Sequence, residues 1–362
     1  MSDEFFMREA LRIAKNALGR TSPNPLVGAV VVKDGKIIAE GWHRQAGTPH
    51  AEVHALNMAG DLAAGATLYV TLEPCSHFGR TPPCVNKILD SGIKRVVAAM
   101  EDPNPAVAGR GFEILRSNGV EIETGLLENE ARKLNEVFLK WITRKMPFVT
   151  MKFAGSLDGK IATVGGESQW ISGTESRKFT HQLRDINDAI LVGIGTVLAD
   201  NPSLTTRLVA GKNPIRIIVD SNARTPLNST VVTDKSARTI IAVTKNAPSD
   251  KISALKACGV EIITAGDGER VDLKLLMEQL AVREITSILV EGGGEIHFSM
   301  LKSGLVDKIL AFIAPKILGG DGKFTAVTGF GFEKLAEAVK IKEFNAEKLG
   351  EDILLSGYVT ED

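Results

Sequence analysis

The chain is poor in cysteine, in net charge and in long apolar runs, and each deficit excludes a class of protein. Three cysteines in 362 residues are too few for a disulfide framework, which favours a reducing cytoplasm. A formal net charge of -1 lacks the positive excess of proteins that bind nucleic acid or anionic membranes. No apolar run reaches the length of a membrane span, and Met1–Glu4 is acidic, unlike the basic start of a signal peptide. We therefore expect a cytoplasmic protein with no nucleic-acid or membrane partner.

Two of the three cysteines stand in a pattern that is typical of a metal site. His50-Ala51-Glu52 is followed by Glu73-Pro74-Cys75 and then by Pro82-Pro83-Cys84. One imidazole and two thiolates form the three-ligand set of a catalytic zinc, because the fourth tetrahedral position stays open for water. The order H-x-E, then P-C and a later C, is that of the zinc base deaminases. We therefore predict a deaminase zinc site, with Glu52 moving protons between the water and the leaving amino group.

Two other interpretations of this pattern are weaker. His50 and His54 are four residues apart, as in a zinc protease helix, but that motif needs Glu directly after the first His. The cysteines could be buried core thiols, yet both sit beside proline and not on an apolar stripe. The segment between them carries His77 and Arg80, and the residues alone leave open whether these contact a substrate or lie in a solvated loop.

Apolar periodicity divides the chain into two α/β series with a boundary at Met146-Pro147, giving predicted domains 1–146 and 147–362. The first series predicts a three-layer domain, with a hairpin turn at Asp34-Gly35. Its strands are predicted at 27–32, 36–40, 67–72, 95–100 and 120–124. Its helices are predicted at 5–18, at 51–59 and at 128–143, and a further helix is predicted to begin at Thr81, which would be its N-cap. The second series predicts strands at 148–153, 189–194, 215–220, 239–244, 260–264, 287–291 and 308–314, and helices at 175–184, 250–257, 272–280 and 295–302.

Two glycine-rich turns in the second domain follow predicted strands. Gly193-Ile194-Gly195 and Gly292-Gly293-Gly294 both lack the third glycine of a Rossmann dinucleotide fingerprint. Their backbone N–H groups can still cradle a phosphate. A turn that uses glycine only for its conformation is the alternative, and it stays open for Gly193. For the triple glycine we favour phosphate.

Further segments carry a resemblance to a known family. They are Asn24-Pro25, Asp102-Pro103-Asn104-Pro105, Ser156-Leu157-Asp158-Gly159-Lys160, Gly166–Ile171, Thr196–Pro202 and Val290–Gly293. Together with the zinc pattern they resemble, in one order along nearly the whole chain, the bifunctional deaminase/reductase of riboflavin biosynthesis. The resemblance implies a cytidine-deaminase-like α/β domain followed by a dihydrofolate-reductase-like α/β domain. It also implies deamination of a diaminopyrimidine ribonucleotide, NADPH-dependent reduction of the ribose to a ribityl chain, and a homo-oligomer formed through the reductase domain.

The resemblance also assigns residues to both sites. It places zinc on His50, Cys75 and Cys84, with Glu52 as the proton shuttle. Along the pyrimidine nucleotide it places Asn24, His43, His77 and Arg80. Along NADPH it places Ala154, Trp170, Thr196, Asp200, Ser221, Gly293, Gly294, Glu295, Ile296, His297, Phe298 and Ser299. Along the sugar-phosphate substrate it places Lys152, Ser168, Arg184, Leu204, Arg207 and Glu291, and it leaves Asp200 and Lys152 open as proton-handling groups.

Two competing functions make different use of the same residues. A nucleoside or tRNA deaminase with an unrelated second domain would keep the zinc pattern, but the near-zero net charge argues against tRNA. A zinc-bound regulatory module without catalysis would keep the three ligands. The presence of Glu52 argues against that module, because a purely structural site has no need of the acid.

Overall fold

The computed structural model describes residues 1–78, 82–104, 108–321 and 324–360, and it divides into two units. The first unit is Met1–Lys145 and the second is Met146–Asp362. Each unit contains its own sheet and its own buried apolar core. None of the helices in the described ranges is both long and apolar enough to span a bilayer.

The first unit is a five-stranded sheet flanked by helices. Its strands are β1 (Gly28–Lys33), β2 (Lys36–Trp42), β3 (Thr67–Val70), β4 (Arg95–Ala98) and β5 (Glu121–Thr124). Its helices are α1 (Asp3–Ala14), α2 (Ala51–Ala59), α3 (Cys84–Asp90), α4 (Arg110–Ser117), α5 (Glu128–Leu134) and α6 (Glu136–Arg144). The strand order is β2-β1-β3-β4-β5, with β1 antiparallel to both neighbours and the other pairs parallel.

Two glycines show that helices cover both faces of this sheet. A side chain at Gly28 would collide with the backbone of Ala10 in α1, and one at Gly41 would collide with the backbone of Ala51 in α2. Gly41 pairs with Ala29, the residue after Gly28, and successive strand residues face opposite sides. Helices α1 and α2 therefore lie on opposite faces, and the predicted three-layer arrangement is confirmed.

The local signals around the zinc pattern are also confirmed. Asp34 and Gly35 both have positive φ, as the hairpin turn between β1 and β2 requires. Helix α2 covers the predicted range, beginning after His50 and ending at Gly60. Helix α3 begins at Cys84 with Pro83 as the capping residue. The predicted cap at Thr81 lies outside the described residues.

The single helix predicted at 128–143 is wrong, because the chain forms two helices that meet at Asn135. The Asn135 side chain is buried and pairs with the backbone of Leu26: its Oδ1 accepts from the Leu26 N–H at 2.8 Å, and its Nδ2 donates to the Leu26 carbonyl at 3.0 Å. The Asn135 backbone leaves the helical region there. A long-range contact of this kind is invisible to helical periodicity.

The second unit is a nine-stranded mixed sheet. Its strands are β6 (Phe148–Ser156), β7 (Ala189–Gly193), β8 (Ile215–Val219), β9 (Thr239–Val243), β10 (Glu261–Thr264), β11 (Ser287–Gly292), β12 (Lys308–Ala314), β13 (Ile341–Leu349) and β14 (Asp352–Val359). Its helices are α7 (Thr174–Ile186), α8 (Ile194–Asp200), α9 (Thr230–Thr233), α10 (Ser249–Ala257), α11 (Leu273–Val282) and α12 (Gly294–Lys302). The order is β10-β9-β8-β7-β11-β6-β12-β14-β13, and only the pairs made by β14 are antiparallel.

All seven strands predicted for this unit are present, but β13, β14, α8 and α9 are missing from the prediction. Strand β13 is solvent-exposed along almost its whole length, so it has no buried face to produce an alternating pattern. Helix α8 starts directly after Gly193, where the sequence indicates only a glycine turn. The carboxyl ends of the parallel strands β6, β7 and β11 lie side by side, which is where open α/β sheets bind ligands.

Candidate active sites in the two units

The three predicted zinc ligands come together in the first unit. His50 Nδ1 lies 3.4 Å from Cys75 Sγ and 3.3 Å from Cys84 Sγ, and the three ligand atoms all lie within 4.8 Å of one another. Zinc binds sulfur at about 2.3 Å and nitrogen at about 2.0–2.1 Å, so atoms around one ion must be spaced on this scale. Both the donor types and their spacing therefore fit zinc.

These ligands are positioned by the beginnings of two helices and by one loop. His50 caps α2, Cys84 is the first residue of α3, and Cys75 follows β3. The Cys84 backbone N–H donates to Cys75 Sγ at 3.3 Å. The pKa of Cys75 falls to about 4, mainly because the Cys84 side chain hydrogen-bonds to its sulfur. The thiolate form, which binds a metal, is therefore favoured at Cys75, whereas the hydrogen bond with Cys75 and burial raise the pKa of Cys84.

Glu52 lies beside the ligands in the first turn of α2. Its side chain is only 3% exposed, and burial raises the pKa of its carboxyl to about 7. It also hydrogen-bonds to the Cys84 side chain. A carboxyl with this pKa can both accept and release a proton near neutral pH.

The structure connects two of the predicted nucleotide contacts to the zinc site. The ring of His43 packs edge-on against the ring of His50, with centroids 5.2 Å apart. His43 Nδ1 lies 3.2 Å from the Pro49 carbonyl, which can only accept, so Nδ1 carries the proton. Nε2 then accepts from Asn24 Nδ2 at 3.1 Å, which orients the Asn24 amide.

The two remaining nucleotide contacts lie in the segment between the cysteines. His77 lies two residues after Cys75 in the loop. It is close enough to Asp102 to favour the ionised form of that carboxyl. Burial is the main reason that the pKa of Asp102 rises to about 6. Arg80 lies outside the described residues.

Glu73 is a buried acid near the zinc site to which the sequence pattern assigns no role. Its buried carboxylate accepts from three backbone N–H groups, those of Asp102 at 3.2 Å, Gly109 at 2.9 Å and Gly111 at 2.8 Å. These hydrogen bonds hold the segment that follows β4 against the loop that carries Cys75. The sequence offers no signal for them, because all three donors are backbone groups 29 or more residues away.

All six predicted sugar-phosphate contacts of the second unit line one cavity, which we call the Lys152 cavity. They are Lys152, Ser168, Arg184, Leu204, Arg207 and Glu291. Ala154 and Trp170, predicted as cofactor contacts, line the same cavity. His181 also lines it and was missed, although it precedes Arg184 by three residues and so shares its face of α7.

Most of the other predicted cofactor contacts line a second cavity, which we call the Ser221 cavity. They are Thr196, Asp200, Ser221, Gly293, Gly294, Glu295, Ile296 and Ser299. Thr196 and Asp200, with Ile161 and Ser168, line both cavities. His297 and Phe298 are buried, and His297 Nδ1 lies 2.7 Å from the Ala326 carbonyl. This contact ties α12 to the segment that follows β12.

A buried ion pair forms the floor of the Lys152 cavity. Arg184 donates from Nε and Nη2 to the two carboxylate oxygens of Glu291, at 2.7 and 2.8 Å, and from Nη1 to the Thr205 carbonyl at 3.0 Å. Burial opposes ionisation of Glu291, but the charges of Arg184 and Lys152 outweigh it and hold the pKa of Glu291 at about 2. Burial lowers the pKa of Lys152.

Comparison with known proteins covers both units. Residues 1–100 match the model of the cytidine and deoxycytidylate deaminase zinc-binding region. Residues 147–355, more than half of the chain, match the model of the RibD C-terminal domain. The chain belongs to the RibD family. As a RibD protein it is a bifunctional deaminase and reductase of riboflavin biosynthesis, with a zinc-binding deaminase region and a reductase domain of the NADPH-using type.

Full-length RibD relatives support this assignment. The RibD of Aquifex aeolicus is 47% identical over 98% of this chain and 97% of its own length. The RibD structure from Acinetobacter baumannii has a TM-score of 0.88 with 38% identity, and covers 99% of each chain. A Thermotoga maritima structure has a TM-score of 0.87 with 40% identity, over 99% of this chain and 98% of its own. That protein is named as a diaminohydroxyphosphoribosylaminopyrimidine deaminase/5-amino-6-(5-phosphoribosylamino)uracil reductase. A second domain unrelated to riboflavin synthesis, the main competing interpretation, is therefore excluded.

Proposed function

We propose that the two units catalyse consecutive steps on one pyrimidine ribonucleotide. The first unit deaminates 2,5-diamino-6-ribosylamino-4(3H)-pyrimidinone 5′-phosphate, and the second reduces the ribose of 5-amino-6-(5-phosphoribosylamino)uracil to a ribityl chain. The main support is the convergence of His50, Cys75 and Cys84 beside the buried carboxyl of Glu52. The name of the Thermotoga maritima relative supports this choice of substrates.

In the deaminase, the chain supplies the ligands and the proton carrier. His50, Cys75 and Cys84 would hold zinc, which would act as a Lewis acid toward a water molecule. The buried carboxyl of Glu52 would accept a proton from the attacking water and return it to the leaving amino group. His43 orients the Asn24 amide toward the pyrimidine, while His77 and Arg80 contact the nucleotide.

In the reductase, the two cavities separate substrate from cofactor. The residues of the Ser221 cavity would hold NADPH, which would supply the hydride, and the backbone N–H groups that start α12 would be available to its phosphates. The sugar phosphate lies in the Lys152 cavity. Ser168, Thr196 and Asp200 line both cavities and therefore mark where the cofactor meets the ribose. Lys152 and Asp200 both line the Lys152 cavity, and they are the groups that we propose to carry a proton to the ribose.

Zinc binding is tested by changing one cysteine at a time. We expect the purified chain to hold about one zinc ion, and Cys84→Ser to hold much less, because two of three ligands remain. Cys258→Ser is the matched control, since Cys258 lies outside the ligand cluster and should keep the metal. Zinc content is measured by atomic emission. Equal zinc in wild type and Cys84→Ser would contradict the ligand assignment.

Two assays on the same preparation test the pair of activities. We expect ammonia release from the diaminopyrimidine nucleotide, and its loss after treatment with a chelator. We expect NADPH oxidation only when the deaminated product is supplied. Because each assay reports on one unit, failure of either one identifies the unit whose proposed substrate is wrong.

We also propose a cytoplasmic homo-oligomer that forms through the reductase unit and binds no nucleic acid. Strand β13 ends the nine-stranded sheet and is exposed on both faces, and an open strand edge is a template for pairing with another chain. Large apolar side chains lie on and near it, including Phe344, which is 63% exposed. The three free cysteines support a reducing compartment.

The oligomer is tested at Phe344. We expect Phe344→Glu to lower the molar mass measured by light scattering, because a charge on an apolar interface opposes association. Val282→Glu is the control: Val282 is another exposed apolar residue, at the end of α11. A monomeric wild type would contradict the proposal, and so would an oligomer that is unchanged in Phe344→Glu.

A further inference from the structure

His181 is a buried histidine of the Lys152 cavity to which the proposed mechanism gives no role. It lies on α7, is 7% exposed, and lines the cavity together with Arg184 and Arg207. The charges that affect its ring are those of Arg184, Arg207, Lys152 and Glu291, which are residues of the same cavity. It therefore stands among the groups proposed to hold the sugar phosphate.

One hydrogen bond determines which ring nitrogen of His181 carries the proton. The backbone N–H of Arg207 donates to His181 Nδ1 at 2.9 Å. A backbone N–H can only donate, so Nδ1 must present its lone pair. In the neutral ring the proton then sits on Nε2, and within the described residues the hydrogen bond of this ring is the one made by Nδ1. Nε2–H is therefore a donor that remains available to a ligand.

The surroundings keep this ring neutral. Burial, and then the positive charges of Arg184 and Arg207, lower the pKa of His181 to about 4. Protonation would also place a second N–H against the Arg207 N–H. His181 thus adds a neutral N–H donor to a cavity that also contains the guanidinium groups of Arg184 and Arg207.

The arginines indicate what this donor meets. The guanidinium of Arg184 is largely occupied, because it already donates to Glu291 and to the Thr205 carbonyl. Arg207 Nη1 is positioned by Ser203 Oγ at 2.6 Å and by Thr205 Oγ1 at 2.9 Å. A positioned guanidinium is suited to an anionic oxygen. The same histidine ring accepts from the Arg207 backbone through Nδ1, so we expect its Nε2–H to meet the same oxygen-rich part of a ligand as the Arg207 guanidinium.

We propose that His181 is a further substrate-binding residue of the reductase, and that its Nε2–H donates to an oxygen of the sugar phosphate. The inference rests on the proposed reductase function. The alternative role is purely structural, with Nδ1 fixing the backbone of Arg207 and Nε2 contacting nothing.

Two substitutions separate these roles, because each keeps one side of the ring. In His181→Asn the amide lies where Nδ1 lay, so its oxygen can still accept from the Arg207 N–H, but nothing replaces Nε2. In His181→Gln the amide reaches the position of Nε2 and can still donate into the cavity, but the Nδ1 acceptor is lost. We expect His181→Asn to raise the reductase KM for the sugar phosphate about tenfold or more, the effect of one hydrogen bond to a charged acceptor. We expect His181→Gln to stay within about threefold of wild type.

The opposite order, equal losses in both variants, or no loss in either would each overturn the proposal. Deaminase activity, which belongs to the other unit, and the KM for NADPH should be unchanged in both variants, which excludes general misfolding. A wild-type chain that oxidises no NADPH with the deaminated nucleotide would overturn the proposed function as well, and is a distinct result.

A substrate without its phosphate identifies the oxygen. If the penalty of His181→Asn disappears with the 5′-hydroxyl nucleoside, Nε2–H donates to the phosphate. If the same penalty persists, it donates to a ribose hydroxyl. Either result supports a direct contact, whereas a wild-type KM in His181→Asn with both substrates contradicts it.

Discussion

Replacing Glu52 with Gln is expected to reduce ammonia release by about 10²–10⁴-fold, the range typical of a lost general acid–base group. Gln has the size of Glu and keeps a hydrogen-bonding oxygen, but it cannot take a proton from water and pass it to an amine. Glu52 is 3% exposed, so bulk water cannot easily replace it as the proton carrier. The measurement is kcat for ammonia release from the diaminopyrimidine nucleotide.

The controls for Glu52→Gln separate chemistry from metal binding. Zinc content should match that of wild type, since all three ligands remain. NADPH oxidation should also be unchanged, because the reductase lies in the other unit. Glu113→Gln, on the exposed side of α4, is the matched substitution and should leave ammonia release intact. Ammonia release at the wild-type rate in Glu52→Gln would disprove the proton-shuttle role.

Glu291→Gln is expected to damage both the stability and the activity of the reductase unit. The pair with Arg184 is buried, with side-chain exposures of 12% for Arg184 and 9% for Glu291. Removing one partner of such a pair costs about 3–5 kcal/mol, because the other charge stays buried without compensation. Here two cations, Arg184 and Lys152, lose the same carboxylate. We expect reductase kcat/KM to fall roughly a hundredfold, as after loss of a strong charged hydrogen bond.

Amide hydrogen exchange localises the effect of Glu291→Gln. Protection should fall in β11 and its neighbours β6 and β7, and should be unchanged in β1–β5. Glu278→Gln, on the exposed face of α11, is the matched control. Wild-type activity together with wild-type protection in Glu291→Gln would show that the ion pair matters neither to binding nor to the fold.

Local signals predicted the cluster of His50, Cys75 and Cys84 because its parts are short and chemically distinctive. The His50-Ala51-Glu52 triplet also carries the start of α2, and Cys84 carries the start of α3, so motif and local structure coincide. The helix break at Asn135 could not be predicted in this way. It depends on a side chain that pairs with the backbone of Leu26, 109 residues earlier in the chain.

In the reductase site too, the residues could be named from the sequence, but their contacts with one another could not. Arg184 and Glu291 are assigned by resemblance, but their bidentate contact joins α7 to the end of β11 across 107 residues. The residue types at short spacings determined the zinc chemistry and the two α/β series, and the family resemblance that the sequence carries implied the two-step function. Only the tertiary structure decided the protonation and the hydrogen-bond partners of the site residues. The pKa of Glu52, the tautomer of His181 and the three N–H donors of Glu73 all come from burial and long-range contacts that no local pattern encodes.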